Sequence, residues 1–105
     1  MKLLSVEILA GEIVVGSADL RSADPTMGVA YAIFRPGPAY DARRHARGTE
    51  QQVLDTSPTP LEARTLAGAR LKCASVDLED FSETLGDEGR EVWILGLEDF
   101  QIHFD

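Results

Sequence analysis

Apolar and polar residues alternate in short runs along the first part of the chain. Residues 3–9 (LLSVEIL) and 12–20 (EIVVGSADL) are rich in aliphatic and β-branched side chains. In the first run Ser5 and Glu7 fall between apolar residues, which is the period of two typical of a β-strand. Gly11 lies between the two runs and can adopt the positive φ that a tight hairpin needs. The pattern predicts an N-terminal β-hairpin.

The next segments predict a third strand and one helix. Residues 21–27 form a loop that an Asp-Pro pair opens, and residues 28–35 (GVAYAIFR) indicate a strand that stops at Pro-Gly-Pro. Residues 41–55 are the only segment with helical character, where Thr49 is a candidate N-cap and Gln52 completes a capping box. The proline-rich stretch that follows can neither continue a helix nor join a central strand, so it predicts an extended linker.

From residue 61 the pattern begins again. Residues 61–68 (LEARTLAG) match residues 4–11 (LSVEILAG) at an offset of 57 positions, and the match continues after one inserted residue. The continued matches pair residues 17–20 with 75–78, both Ser-x-Asp-Leu, and residues 31–34 with 92–95. This order of matches predicts an internal duplication. The alternative is that two unrelated hairpins share common hairpin residues.

The C-terminal residues predict a final strand. In residues 100–104 (FQIHF) apolar side chains alternate with Gln and His, so we expect Phe100, Ile102 and Phe104 to be buried. The predicted fold is mainly β, a small antiparallel sandwich or barrel of six or seven strands from two imperfect repeats, with at most one short helix. We expect a single domain, residues 1–105, made of repeat copy one (3–40), a helix or loop plus Pro-rich linker (41–60) and repeat copy two (61–105).

Length and composition agree with one ordinary globular domain. The chain has 105 residues, of which 44% are hydrophobic and 27% charged. Its one cysteine, Cys73, cannot close an internal disulfide, which favours a reducing compartment. Glu7 interrupts the apolar N-terminus, and no segment has the roughly 20 apolar residues of a membrane span. We therefore expect a cytoplasmic protein that does not associate with a membrane.

The net charge of −8 is concentrated in the C-terminal third. Residues 77–105 contain ten acidic residues and one basic residue, which gives −9, whereas residues 1–76 contain eight acidic and nine basic residues, which gives +1. Because phosphate backbones repel an anionic domain, we do not expect nucleic-acid binding.

The acidic segment, residues 77–91, is the first candidate surface. It fails as an EF-hand calcium loop, because Phe81 stands at the third ligand position and Ser82 at the glycine position. It is either a solvated loop or a docking patch for a basic partner, in which an apolar residue among charges supplies an anchor. The candidate interaction residues here are Asp77, Glu79, Asp80, Phe81, Glu83, Asp87, Glu88 and Glu91.

The basic cluster Arg43, Arg44 and Arg47 is the only concentration of positive charge. It lacks the interleaved aromatic residues of a single-strand nucleic-acid platform. It is a solvated face, a surface that binds an anion or RNA, or a surface that pairs with the acidic segment of a second copy, which would make a homodimer. His45 and His103 have no Cys or second His at ligand spacing, so we expect both at the surface.

Asp19 and Asp77 occupy equivalent positions in the two predicted copies. A pseudo-twofold axis would bring their carboxylates together at a seam with Tyr31 and Trp93, and paired carboxylates can support acid–base chemistry. The alternative, which the sequence favours, is that each Asp ends a strand and bonds to its own turn backbone. Trp93 and Cys73 lie in apolar strand patterns, so we expect them in the core.

No motif in the chain indicates catalysis. The nine glycines are dispersed, and neither a GxGxxG, a Walker nor a Gly-x-Ser-x-Gly pattern is present. We therefore expect no catalytic residues, no metal and no cofactor. The hypothesis is a non-enzymatic protein-interaction module whose acidic segment binds a partner protein or a second copy. The alternative is a small ligand-binding protein or enzyme with a site at the seam between the two repeats.

Overall fold

The computed structural model describes residues 2–49 and 60–104, which form eight strands and four short helical segments. The strands are β1 (Leu4–Ala10), β2 (Ile13–Asp24), β3 (Val29–Ile33), β4 (Arg35–Pro36), β5 (Gly48–Thr49), β6 (Leu61–Thr65), β7 (Ser75–Asp80) and β8 (Arg90–Leu95). The helical segments are α1 (Ala42–His45), α2 (Ser82–Leu85), a 3-10 helix (Gly86–Gly89) and α3 (Phe100–Phe104).

Within these ranges seven strands form one curled sheet, shaped like half a barrel, in the order β5-β7-β8-β3-β2-β1-β6. Strand β4 pairs with β2 beside this path. The mainly β prediction is confirmed, but β5 and β7 are parallel, so the sheet is mixed and not purely antiparallel. Strands from both predicted copies share the sheet: β6 lies beside β1, while β7 and β8 lie beyond β3. The internal duplication stays a prediction.

Strands β1 and β2 form the predicted N-terminal hairpin. Gly11 in its turn has a φ of +64°, a conformation that side chains other than glycine rarely adopt. Further along β2, Gly16 lies so close to the ring of Phe34 that a Cβ added there would be 2.3 Å from a ring carbon. The missing side chain at this position lets Phe34, only 1% exposed, fill the core.

The inner side of the curled sheet holds the hydrophobic core. Side chains alternate along each strand, so that one set packs inward and the other lies on the outer face. The largest fully buried side chains are Phe34, Ile8, Leu9, Leu20, Leu78, Ile94, Val6, Val15 and Val92. The outer face carries polar and aromatic side chains that remain partly exposed.

The prediction of a final strand at residues 100–104 is wrong, because these residues form α3. The rings of Phe100 and Phe104 contact each other at 4.7 Å between centroids, as side chains four residues apart do on one helix face. Ile102, expected to be buried, is 73% exposed. Phenylalanines at i and i+4 share a face in a helix as well as in a strand, so the five-residue pattern is ambiguous.

The predicted helix over residues 41–55 is shorter, and Thr49 does not cap it. Helix α1 begins after Asp41, whose carboxylate accepts a hydrogen bond from the N–H of Arg43, and Thr49 belongs to β5. Gln52 and the linker up to residue 59 lie outside the described residues. With α1, α2, α3 and the 3-10 helix, the described chain has more than the one short helix expected. None of its helices is long and apolar enough to span a membrane.

Candidate interaction surface

A row of four side chains crosses the outer face of the sheet. The strand register places Arg21 opposite Tyr31, Tyr31 opposite Trp93, and Trp93 opposite Asp77. The Tyr31 and Trp93 rings are 4.8 Å apart between centroids and tilted by 32°. We call these two rings the aromatic platform. The expectation that Trp93 lies in the core is wrong, because the residues on either side of it point inward and its own side chain is partly exposed.

An arginine is found at each end of this row: Arg21 is its first member, and Arg47 contacts its last member, Asp77. The Arg21 guanidinium lies 4.4 Å from the centroid of the Tyr31 ring, and it also donates a hydrogen bond to the Tyr31 hydroxyl. At the other end Arg47 pairs with Asp77 at 3.4 Å. The platform therefore already accommodates one guanidinium, and the charge of Asp77 is already balanced.

The neighbouring row carries two carboxylates on adjacent strands. Glu79 on β7 lies directly opposite Glu91 on β8, and Ile33 on β3 lies on the far side of Glu91. We call Glu79 and Glu91 the carboxylate pair. Within residues 2–49 and 60–104, no side chain forms an ion pair or hydrogen bond with either of them. Like charges placed directly opposite each other destabilise a sheet, so this pair lacks the compensation that the other outer-face carboxylates have.

Asp19 and Asp77, the two carboxylates of the predicted seam, do not meet. Strands β3 and β8 lie between theirs, which separates them by three strand spacings, roughly 14 Å. Asp19 accepts hydrogen bonds from Arg35 (3.0 Å) and Ser5 (2.7 Å), which lower the pKa of its carboxyl below the ordinary value. Each Asp is thus held by its own arginine, and neither bonds to turn backbone as the sequence suggested.

A shallow depression of about 260 Å³ does lie beside Asp19 on the outer face. Its lining residues are Leu3, Asp19, Arg21, Tyr31, Ala32, Ile33 and Arg35. The polar groups in this lining are already paired with one another or with Ser5 and Ser17. The structure thus brings Tyr31 and Asp19 to one depression, and Tyr31 and Trp93 to one platform.

Asp80 is not available as a docking residue, because it is buried, with 6% exposure. Its carboxylate accepts hydrogen bonds from the Tyr40 hydroxyl (2.7 Å) and the N–H of Ser82 (3.0 Å), and Arg90 lies 3.5 Å away. Burial raises the pKa of Asp80, but the bonds from Ser82 and Tyr40 and the charge of Arg90 outweigh it and lower the pKa overall. Burial and this carboxylate also raise the pKa of Tyr40. The cluster joins β7, β8 and the segment before α1.

The rest of the acidic segment is the helical connection between β7 and β8. Phe81 is partly buried, Leu85 is 64% exposed, and Asp87 pairs at 2.9 Å with the arginine that begins β8. Glu83 and Glu88 are exposed. Across the described ranges, no group of three or more His, Cys, Asp or Glu side chains is placed to hold a metal ion.

The predicted basic cluster is divided by the fold. Arg43 and Arg44 are exposed on α1, whereas His45, expected at the surface, is 7% exposed. The Nδ1 atom of His45 accepts a hydrogen bond from the N–H of Asp41 at 3.0 Å. Burial, together with the charge of Arg44, lowers the pKa of His45. His45 is therefore a neutral structural residue, beside a cleft of about 240 Å³ that lies against β7 and the start of β6.

His103 and Cys73 lie away from the outer-face rows. His103 in α3 is partly exposed, and Cys73 is partly buried and packs against the core. Burial raises the pKa of the Cys73 thiol, which favours its protonated form.

The sequence did not reveal that Glu79 and Glu91 lie opposite each other on neighbouring strands. It also did not reveal that Ile33 and Arg21 belong to the same surface. The alternation within residues 75–80 places Glu79 on the same face of its strand as Asp77. The alternation within residues 90–95 likewise places Glu91 on the same face as Trp93. Strand register decides which of them meet, and the alternation alone leaves register open by steps of two residues.

These observations define a small, mainly β protein whose outer sheet face carries an aromatic platform beside Glu79 and Glu91, two carboxylates with no ion-pair partner within residues 2–49 and 60–104. No protein-family model, curated protein or solved structure matches the chain.

Proposed function

We propose that this protein is a non-enzymatic interaction module that binds a partner protein through the outer face of β7, β8 and β3. The binding surface consists of the aromatic platform (Tyr31 and Trp93), the carboxylate pair (Glu79 and Glu91) and Ile33. This refines the hypothesis of an acidic docking segment, because only the parts of residues 77–91 that lie in the sheet belong to the surface.

The observation that carries the proposal is the carboxylate pair beside the platform. Two opposed like charges destabilise the free protein, and a basic group from a partner would remove that cost on binding. Elsewhere on the outer face the carboxylates of Glu7, Asp19 and Asp77 each have an arginine. The arrangement therefore distinguishes Glu79 and Glu91 from ordinary surface acids.

The composition of the surface supports the same function. Trp and Tyr are the side chains most enriched where protein interfaces gain their binding energy, and a charged rim around them is the usual arrangement. Ile33, which is 36% exposed, lies two residues beyond Tyr31 on β3 and opposite Glu91. It therefore extends the apolar contact area of the platform. A partner that covers these three residues while pairing with the two glutamates would bury an apolar centre inside a polar rim.

Self-association through Arg43 and Arg44 is the competing form of this function. Two copies would each bring a net charge of −8, which opposes their approach. A separate partner with basic residues meets no such repulsion, so we favour it. Sedimentation at two concentrations distinguishes the two forms, because only self-association makes the sedimentation coefficient depend on concentration.

A capture experiment with matched charge variants tests the proposal. The tagged protein, the double variant E79Q/E91Q and the control D87N/E88Q are used to capture partners from native cell extract. The two variants remove equal charge, but the control changes loop residues outside the sheet. We expect E79Q/E91Q to lose a partner that the control retains, and that partner to dissociate as salt increases. Capture that is equal in both variants would contradict the proposal.

The alternative, a ligand site at the predicted seam, has one supporting observation, the depression beside Asp19 and Arg35. It is open, and its polar groups already bond to one another, so a ligand would have to displace existing pairs. A thermal-shift screen of small anions and cations against the protein and Arg35→Ala tests it. A stabilising ligand whose effect disappears in the variant would favour this alternative.

A further inference from the structure

We infer that the group recognised on this surface is an arginine side chain of the partner, lying on Trp93 and bonded to the carboxylate pair. This inference rests on the proposed function and specifies the chemistry of the partner: an exposed segment that carries arginine.

Tyr31, one half of the aromatic platform, already contacts a guanidinium. The Arg21 guanidinium already lies 4.4 Å from the Tyr31 ring centroid, so this protein uses one half of the platform to hold a guanidinium. Trp93 is the other half, and no described cation lies on its ring. Indole attracts cations more strongly than phenol does, so the half without a cation is the better one.

The two carboxylates of the pair are near neighbours of Trp93 on the outer face. Glu91 lies two residues from Trp93 on the same strand and face, and Glu79 is the diagonal neighbour across the β7–β8 pair. Between backbone positions, Glu91 is roughly 7 Å from Trp93 along the strand and Glu79 roughly 7–8 Å from it across the pair, distances that long side chains span. Asp77 is directly opposite Trp93 but is paired with Arg47, so the charge available to a partner is that of the two glutamates.

An aromatic ring beside carboxylates favours arginine over lysine. A guanidinium is planar and can stack on an indole while its N–H groups, arranged as a fork, donate to carboxylates at its edge. An ammonium is a strongly hydrated point charge and gains less from stacking. A flat ring with two carboxylates to one side therefore matches arginine.

The sole tryptophan of the chain lies in the proposed site, so its fluorescence reports occupancy directly. Three blocked five-residue peptides are titrated at low salt: Gly-Arg-Gly-Arg-Gly, the lysine counterpart and the counterpart with citrulline, which is neutral and nearly isosteric with arginine. We expect the arginine peptide to bind about threefold to tenfold more tightly than the lysine peptide, and the citrulline peptide to show no saturable change.

The variants separate the contributions of ring and charge. By calorimetry, Trp93→Leu should weaken the arginine peptide about threefold to tenfold and remove most of the preference over lysine. E79Q/E91Q should weaken both basic peptides by about tenfold, whereas D87N/E88Q should leave both within about twofold of the unmodified protein. Circular dichroism and thermal melts of each variant establish that the fold is retained.

Several results would overturn the inference. If the arginine and lysine peptides bind with equal affinity, no guanidinium stacks on Trp93. The same conclusion follows if the arginine peptide binds Trp93→Leu as tightly as it binds the unmodified protein. A dimer that forms with concentration and disappears in E79Q/E91Q identifies the occupant as a second copy. If no peptide binds while partner capture still requires Glu79 and Glu91, the arginine assignment fails and the interaction function stands. If capture is also indifferent to the two glutamates, both fail.

Discussion

Neutralising one member of the carboxylate pair should stabilise the free protein while weakening partner binding. In Glu79→Gln the amide keeps the size of the side chain and removes its charge, so the repulsion from Glu91 across the β7–β8 register disappears. Most surface substitutions are neutral or destabilising, so a gain in stability at this position is a distinctive expectation.

The magnitude follows from the strand geometry. Cβ atoms of directly opposed residues are about 5 Å apart, and taking about 6 Å between the carboxylates gives a repulsion of about 0.7 kcal/mol in the dielectric of water. Screening reduces this to about 0.6 kcal/mol at 0.01 M salt, about 0.3 kcal/mol at 0.15 M and about 0.1 kcal/mol at 1 M. The free energy of unfolding should therefore rise most at low salt.

Urea denaturation of four proteins and one control variant at these three salt concentrations measures the effect. The four proteins are the unmodified chain, Glu79→Gln, Glu91→Gln and the double variant. Either single substitution should give the full gain in the free energy of unfolding, so the second substitution should add little. The double-mutant cycle therefore isolates the coupling energy between Glu79 and Glu91. Glu88→Gln, with the same charge change in the exposed loop, corrects for the lower net charge. A gain in Glu79→Gln no larger than in Glu88→Gln, or one independent of salt, would refute the reasoning.

Three further predictions concern the fold. Gly16→Ala should destabilise by about 1–3 kcal/mol in the same urea melts, because its Cβ would overlap the buried Phe34 ring. Gly48→Ala should stay within about 0.5 kcal/mol, because no atom of the described residues lies within 4 Å of its Cβ. Equal effects of the two substitutions would be inconsistent with the packing described. Burial lowers the folded-state pKa of His45, so below pH of about 6.5 the unfolded chain takes up the proton first and stability falls with acidification. Melts at pH 5 and 7.5 should show this loss, and His45→Gln should reduce it; an unchanged loss in the variant would contradict the assignment. Tyr40→Phe removes a hydrogen bond to a buried carboxylate and should cost about 1.5–3 kcal/mol in thermal or urea unfolding, whereas a cost under about 0.5 kcal/mol would mean that the bond contributes little.

The alternation of side chains predicted the strands well, because burial on one face imposes a period of two on the sequence. The hairpin at Gly11 and the strands near residues 28–35 and 75–80 all follow from it. Alternation failed at α3, where five residues satisfy both strand and helix periods, and where the contact between Phe100 and Phe104 accompanies a helix.

The candidate surface was predictable only in part. Its acidic residues and its aromatic residues were each identified, but as separate sites, because strand order and register bring them together and neither can be read from local pattern. Trp93 shows the difficulty most clearly. Its neighbours are all apolar, so the sequence indicates a core strand, whereas the sheet has a covered inner side at Val92 and Ile94 and an open outer side at Trp93.

Asp80 and His45 show the opposite error. Both lie among charged residues and look like surface groups in the sequence, yet the Tyr40 hydroxyl and the Asp41 N–H provide hydrogen-bond partners that make their burial possible. Partners forty positions apart in the chain cannot be inferred from spacing, since the fold alone brings Tyr40 to Asp80.

The central claim is that the outer face of β7, β8 and β3 is the binding surface, and NMR chemical-shift mapping tests it most directly. The ¹⁵N-labelled protein is titrated with the arginine peptide, and the single indole N–H, that of Trp93, gives one assigned signal at the centre of the site. The account predicts that this signal and the backbone amides around Tyr31, Glu79 and Glu91 shift together and saturate at one affinity. Shifts confined to the helical connection at residues 82–89, with the Trp93 indole unmoved, would contradict it.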